Sequence, residues 1–423
     1  ITAQTAAAPA AEEKWYESVK ISGMVRSRPE IKENYAFDDS QRYNFVGNKV
    51  WLTAEKEFKD KTKVVITLQD ARVWGGQNPT IVDTSTEQQA TDIREAYVQL
   101  KNFAWTPFDL KVGRQKLAFG EEMFVGALDW ANVGRSFDGA RLIWNTAAND
   151  LSIFSTIIQE NNSNDLNNLQ SSKNTEAMYF SGLYNTAKIH KAFWLDAFLF
   201  ARNQEGVNRH GNQLYTSGLR FHNRTEAGNK TASDQLIDYS IDVAYQGGQK
   251  AGQQIQAYGA VAFVGVNFNA GLKMRIGGQG AYASGDKDAN DNKYETFDPL
   301  YPTPHYQFGQ ADMTSWRNLV GGGVNYTIWF TQEFNLKLDY WYAMRQSGND
   351  SWYLIAGTAA PNQAGLGTEK HLYQEFGLIT NYQARSYLAF QAGYAYAMRG
   401  KAMELANKSG DYQFGYLMST ISF

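Results

Sequence analysis

Hydrophobic and polar positions along this chain alternate with period two far more often than they recur every three or four residues, so strands rather than helices are expected. Eighteen alternating runs follow one another, at 16–28, 44–58, 61–74, 91–103, 107–118, 137–146, 149–160, 174–186, 190–203, 213–226, 233–247, 252–267, 270–283, 315–329, 332–346, 369–382, 385–399 and 411–423. Each gives way to a turn or loop. Dividing 423 residues by 18 runs leaves about 23.5 residues per strand and connection, which suits a hairpin meander.

Several runs separate two faces cleanly. Ile237, Tyr239, Ile241, Val243 and Tyr245 share one face, while Asp238, Ser240, Asp242 and Gln246 share the other. Phe334, Leu336, Leu338, Tyr340 and Tyr342 oppose Asn335, Lys337, Asp339 and Arg345; Leu272, Met274 and Ile276 oppose Lys273, Arg275 and Gln279. The runs 16–28, 91–103 and 411–423 fit either phase.

Connections carry a second pattern. Those after even-numbered runs are generally short, as at Asp60-Lys61, Ala147-Ala148, Ala187-Lys188, Asn269-Ala270 and Ala384. Those after odd-numbered runs are mostly long, at 75–90, 119–136, 161–173, 284–314 and 347–368, with 247–251 as an exception. Long loops on one side and tight turns on the other predict an all-β fold: a transmembrane antiparallel up-and-down β-barrel of about 18 strands, with short periplasmic turns and long extracellular loops. All eight prolines (9, 29, 79, 107, 299, 302, 304 and 361) fall in connections or at run ends, as a hydrogen-bonded ladder requires.

A soluble barrel or sandwich would point the same apolar face inward. Eighteen strands, however, enclose a lumen too wide for strand side chains to fill. In lipid the alternation reads apolar outward and polar inward, with aromatic residues at the two interfaces. The composition fits: Tyr 25, Phe 24 and Trp 11 make 14% aromatic, and charged residues only 20%. Mean hydropathy is −0.49, and apolar stretches such as Ala260–Val266 fall far short of the ~18 residues a membrane helix needs. Residues 1–15, opening ITAQTAAAPAAEEK, read as a flexible start of a mature chain after signal-peptide removal, and 16–423 as one barrel domain. The chain ends in Phe423, as outer-membrane barrels commonly do. The expected surroundings are therefore the lipid bilayer and lipopolysaccharide of a bacterial outer membrane.

Cysteine is absent, so thiolate sites and disulfides are excluded. The net charge of −3 gives no pull toward nucleic acid. The five histidines show no metal-ligand spacing, no GxSxG occurs, and GGQG at 277–280 and GGG at 321–323 lie in strand patterns, so no enzyme site and no cofactor are expected. The loop Asp286–Asn292 resembles part of a calcium loop, but it lacks the turn glycine and has Phe297 where the bidentate glutamate belongs. A solvated acidic loop is the expectation, with weak calcium near Asp286 and Asp288 as the other reading.

Charge on the inward face is the candidate chemistry. Alternation assigns Lys49, Arg141, Arg220, Arg224, Lys273, Arg275, Arg317, Lys337, Arg345 and Arg399 to the lumen, against Glu55, Asp238, Asp242, Asp339 and Glu375. A basic path would concentrate anions, although each charge could equally be paired across strands.

Three blocks are more specific. Arg94–Val98, Gly113–Gln115 and Asp129–Arg141 form the first, Ala283–Met313 the second and Gly367–Gln383 the third. Together they resemble the alginate-export family of outer-membrane porins, departing from its pattern at Lys370-His371. The resemblance implies an eighteen-stranded barrel whose lumen arginines pass an acidic polysaccharide, with loops that occlude the pore. Carried over, the motif arginines are Arg94, Arg114, Arg135 and Arg141; Glu95 and Glu121-Glu122 are the sequence neighbours with which Arg94 and Arg114 would pair structurally. Arginine suits polyuronates because its planar fork binds carboxylate bidentately and keeps its charge. The function expected is a passive channel for anionic solutes, such as an alginate-like oligo- or polysaccharide, with a periplasmic export partner. A general or differently selective porin, or a structural sheath around a partner protein, are the alternatives.

Overall fold

The computed structural model describes residues 15–75, 89–158, 178–204, 212–223, 235–305, 307–360 and 363–423. Of the expected N-terminal segment, residues 1–14 lie outside them. Eighteen antiparallel strands close into a barrel: β1 (Lys20–Glu33), β2 (Arg42–Glu57), β3 (Thr62–Trp74), β4 (Gln89–Leu100), β5 (Asp109–Gln115), β6 (Phe137–Asn145), β7 (Asn149–Ile158), β8 (Met178–His190) and β9 (Phe193–Gln204), followed by β10 (Asn212–His222), β11 (Ile237–Lys250), β12 (Gln253–Asn269), β13 (Lys273–Ala283), β15 (Leu319–Trp329), β16 (Phe334–Arg345), β17 (His371–Arg385), β18 (Leu388–Arg399) and β19 (Tyr412–Ser422). The two-residue β14 (Lys293–Tyr294) pairs parallel with β12 inside a long loop and is not part of the wall. Each wall strand pairs with its sequence neighbour, and β19 closes on β1 with Met24 opposite Ser422.

Local chemistry differs from expectation at two places. Pro29 lies within β1, not at its end; the β1–β19 ladder skips Arg28 and Pro29, because proline has no N–H to contribute. The turn expected at Ala187-Lys188 falls instead at 191–192, with β8 continuing to His190.

The phase of the alternation holds on the cleanest strands. Ile237, Ile241, Val243 and Tyr245 are exposed on the outer face, while Asp238, Ser240, Asp242 and Gln246 are buried within. Val50 and Leu52 on β2, Ile66 and Leu68 on β3 and Leu199 on β9 continue the lipid-facing band. Phe58, Phe103, Trp105, Phe330 and Tyr387 mark its short-turn border, at the level where aromatic rings partition between headgroups and acyl chains.

The phase fails as a rule for what lies inside β7–β9. There Phe154, Phe180, Tyr184, Phe198 and Phe200 point inward and are buried. Two loops folded into the barrel, 116–136 and 284–318, cover them. Phe119 stacks on Tyr184 at 4.7 Å, Phe124 meets Phe198 at 4.9 Å, and Phe297 meets Trp316 at 4.9 Å. The lumen thus holds a hydrophobic core that alternation within strands could not show.

Phe423 extends the closing β1–β19 seam by one more pair. Gly23 N–H donates to the Phe423 carbonyl at 2.8 Å and Phe423 N–H returns to the Gly23 carbonyl at 3.0 Å. A β-carbon on Gly23 would lie 2.5 Å from the Phe423 ring and 2.8 Å from the Trp51 carbonyl. Gly23→Val is expected to weaken this seam by about 1–3 kcal/mol, lowering the temperature at which the detergent-folded barrel loses its fast gel mobility. An unchanged transition would show that the seam does not limit barrel stability.

Candidate translocation path

Main-chain polar groups of the two inward loops need partners, since a buried unpaired carbonyl costs about 1–3 kcal/mol. The loops satisfy part of this between themselves. Val125 and Tyr301 form a parallel bridge, Gly126 N–H donates to the Tyr301 carbonyl at 2.8 Å, and Tyr301 N–H donates to the Phe124 carbonyl at 2.8 Å. Cations of the barrel wall supply much of the rest. Arg26 donates to the carbonyls of Asp129 and Ala131 at 3.0 Å each, and Lys49 to the same two at 2.8 and 2.7 Å. Arg28 reaches the Trp130 carbonyl at 2.5 Å while its guanidinium lies 4.0 Å over the Trp130 ring.

The motif arginines divide among three roles. Arg94, 2% exposed, donates to the Ala127 carbonyl at 3.0 Å and pairs with the Asp129 carboxylate. Arg135 donates to the carbonyls of Gly126, Tyr301 and Pro302, at 3.2, 2.6 and 3.0 Å, and so fastens one loop to the other. Arg114 is a correction: it is not a lumen residue. Lys111 and Gln115 are buried inside and Val112 is exposed outside, so the register puts Arg114 on the outer face. There it pairs bidentately with Asp138 at 2.9 and 3.0 Å, lies 3.5 Å from Asp92 and caps the Ile93 carbonyl at the β-bulge of β4. The acidic partners of Arg94 and Arg114 are therefore Asp129, Asp138 and Asp92, not the sequence-adjacent Glu95 and Glu121-Glu122.

Most residues assigned to the lumen by alternation are also engaged. Arg220 meets Glu121 and Asp196 at 3.1 Å each and Asp242 at 3.8 Å. Arg275 holds Asp238 bidentately at 2.9 and 2.8 Å, Lys337 meets Asp339 at 3.0 Å, and Arg399 meets Asp411 at 3.0 Å. Arg345 spends its donors on the carbonyls of Asp350, Gly367 and Glu369. Glu375 accepts the N–H groups of Gln310 and Ala311 and anchors the second loop. Lys273 is exposed at the short-turn end of β13. Arg224 lies outside the described residues.

Arg317 joins a residue that alternation overlooked. It meets Asp298 at 2.9 Å from one side, and Arg202 of β9 meets the same carboxylate at 2.6 Å from the other. Arg202 shares the inward phase of Phe198 and Phe200, an aromatic phase that was not read as facing the lumen. Burial alone would raise the Asp298 carboxyl, but Arg317 and Arg202 outweigh it and hold the group well below the usual carboxylate range.

Arg141 stands apart. It donates to Ser152 Oγ at 3.1 and 2.7 Å and lies 5.2 Å from the Phe119 ring centre; among the described residues no carboxylate lies within 4.0 Å of it. Directly across the strand pair is Lys111, which sequence reasoning missed because its run was never phased. Lys111 Nζ sits 3.5 Å over the Tyr97 ring and likewise has no carboxylate within 4.0 Å among the described residues. Glu95, farther off, offsets part of the Lys111 charge; two adjacent cations still repel each other and attract an anion, at about 1 kcal/mol per contact in water and more where the lumen excludes it. On the far side of the lumen, toward the short turns, neutral side chains bond one another: Asn381 bonds Asn335 at 3.0 Å, Gln391 bonds Asn381 at 2.6 Å, and Tyr416 bonds Gln391 at 3.0 Å.

The acidic loop resembling a calcium site is turned onto its own backbone. Asp286, Asp288 and Asp291 each accept an N–H two residues on, at 3.2, 3.0 and 3.0 Å. Such local turns point carboxylates at the chain rather than at one common centre.

The Asp298 clamp has a signed pH dependence. A carboxylate lowered on folding contributes stability above its unfolded value of about 3.9, and loses it only as pH falls through the lower folded value. Acidification from about pH 7 to 4.5 should therefore leave the clamp intact. Asp298→Asn should release the second loop at neutral pH and raise single-channel conductance and current noise. Equal noise in the variant and wild type would show that the clamp does not hold the loop.

Comparison with known proteins agrees with this architecture. The alginate export family matches residues 18–415. No curated protein sequence matches the chain. Among solved structures, OprD of Pseudomonas aeruginosa superposes with a TM-score of 0.62 at 12% identity, covering 96% of this chain and 93% of that one. OccAB1 of Acinetobacter baumannii gives 0.61 at 11%, covering 96% and 97%. OpdK of Pseudomonas aeruginosa, solved with vanillate, gives 0.60 at 11%, covering 96% and 99%. At these identities the structures speak for the fold. With a family match over nearly its whole length, the chain belongs to the alginate export family and is an integral β-barrel of the bacterial outer membrane.

Proposed function

We propose that the protein is a passive channel for anionic solutes, most of all an acidic oligo- or polysaccharide of the alginate type, moving down its gradient. The observation that carries this reading is the cross-strand pair Lys111 and Arg141, inward-facing and without a carboxylate within 4.0 Å among the described residues. Among the described residues the other lumen cations donate to loop carbonyls, as Lys49 and Arg345 do, or pair with acids, as Arg220 does, which leaves Lys111 and Arg141 as the adjacent pair with donors to spare for a solute. A carboxylate arriving at this pair trades its hydration for two donors, and the neutral amides opposite it offer exchangeable partners to sugar hydroxyls. Several moderate contacts let the polymer move on, where one deep site would retain it. No cofactor enters this scheme, and transport needs no chemical step.

Packing of the two loops within the barrel favours a channel over a sheath, because the space an enclosed partner would need is filled by Phe119, Phe124, Tyr301 and Trp316. A periplasmic export partner would deliver the polymer to the short-turn side.

Reversal potentials across a planar bilayer under a salt gradient test the proposal. The wild type should prefer anions, and Lys111→Ala or Arg141→Ala should each lower the anion-to-cation permeability ratio roughly fivefold, the equivalent of about 1 kcal/mol. Arg114→Ala, on the outer face, should not change it. A cation-selective wild type would overturn the reading.

A further inference from the structure

Arg114 and Asp138 form an ion pair on the face of the wall that meets lipid. Register gives their depth. A cross-strand row starts at Ile21, beside the short turns, passes Ile66, Arg114, Asp138 and Ile157, and ends at Gln249, near the long-loop end of β11. Because the strands of a barrel tilt, such a row climbs from one rim to the other. Arg114 and Asp138 occupy its middle, between the exposed Ile66 and Ile157. The pair therefore lies near mid-depth of the hydrocarbon, where a charge on the lipid side costs most. Charged groups at that depth almost always face protein. Here the Asp138 side chain keeps 32% exposure among the described residues.

The outward row beside the pair is made of small side chains. On its short-turn side Val112, Ala140, Ser155, Ser181 and Ala201 stand in register across β5 to β9, and the Ser155 and Ser181 hydroxyls share a hydrogen bond of 2.9 Å. The opposite wall is bulky in the corresponding place, with Ile276, Tyr326, Leu338, Leu378 and Tyr394 in one outward row from β13 to β18. Lipid tails are as apolar as leucine, so greasy bulk alone does not join two membrane proteins. Small residues that let backbones approach, with polar side chains that bond across, do join them. Both features coincide on β5 to β8.

We propose that this face, centred on Arg114 and Asp138, is the contact between two copies of the chain in the membrane. A two-fold axis along the membrane normal, passing between the two residues, sets Arg114 against the partner's Asp138 and Asp138 against the partner's Arg114. One patch thus supplies both halves of each pair, as a contact between identical surfaces requires. An acyl chain offers no charge to either residue, whereas a second copy offers the opposite one at the same depth. The four groups then face each other instead of lipid, and Ala140 and Ser155 beneath them let the walls close. The contact involves no lumen residue and stands apart from the channel reading.

The chain has no cysteine, so single substitutions report proximity without background. Val112→Cys and Ala140→Cys, each oxidised in isolated outer membranes, should give disulfide-linked dimers several times more than Val324→Cys, an exposed position on β15. In the Ala140→Cys chain, adding Arg114→Leu together with Asp138→Leu should lower the linked fraction roughly threefold, the effect of losing one polar contact between membrane surfaces. Linking of Val112→Cys and Ala140→Cys no greater than that of Val324→Cys would overturn the proposal. So would cross-links to a different outer-membrane protein, or a linked fraction unchanged once the ion pair is gone. If the double leucine variant does not fold, Ser155→Leu takes its place: a bulky side chain in the small-residue row should lower linking, and unchanged linking would overturn the contact.

Discussion

A polypeptide loop placed inside a barrel must find donors for its carbonyls where water is scarce, and in this protein cationic side chains of the wall provide them. Arg26, Lys49 and Arg94 converge on the main chain at Ala127, Asp129 and Ala131, and Arg345 does the same for the connection between β16 and β17. Charge-assisted donors are stronger than neutral ones and can serve two or three acceptors at once. This explains why an outer-membrane barrel of slightly acidic overall charge carries so many buried basic groups, and why most of them are unavailable to a solute.

Loop packing and the distribution of lumen charge are aspects of one electrostatic arrangement. The first loop brings Phe119 over Arg141 and Phe124 onto Phe198, so the same segment that narrows the lumen also builds the hydrophobic core beneath it. The second loop is held at Asp298 by two arginines and at Gln310-Ala311 by Glu375. Lys111 and Arg141, side by side on β5 and β6, have no carboxylate within 4.0 Å among the described residues.

Much of the barrel was legible beforehand. Period-two alternation, the alternation of short and long connections and the three family-like blocks led to the strand number, the lipid-facing residues of β11, β13 and β16, and the family. The site was only partly so. Alternation places a residue on a face but says nothing of who stands opposite, so Arg220, Arg275 and Lys337 counted as pore charges although Asp196, Asp238 and Asp339 neutralise them. Arg114 was carried over from a motif and faces outward, bracing a bulge that sequence spacing does not reveal. Lys111 was missed because LKVGRQ can be phased only once its neighbours' register is known.

The sequence by itself determined that this chain forms an outer-membrane barrel, because side-chain alternation repeats every two residues and is set by covalent geometry alone. Tertiary structure decided which inward residues face a loop, a counter-ion or open water. Those partners lie far apart in sequence, as Thr303 and Glu122 do at 181 residues across the two inward loops, and only the closed tertiary structure brings them within hydrogen-bonding distance.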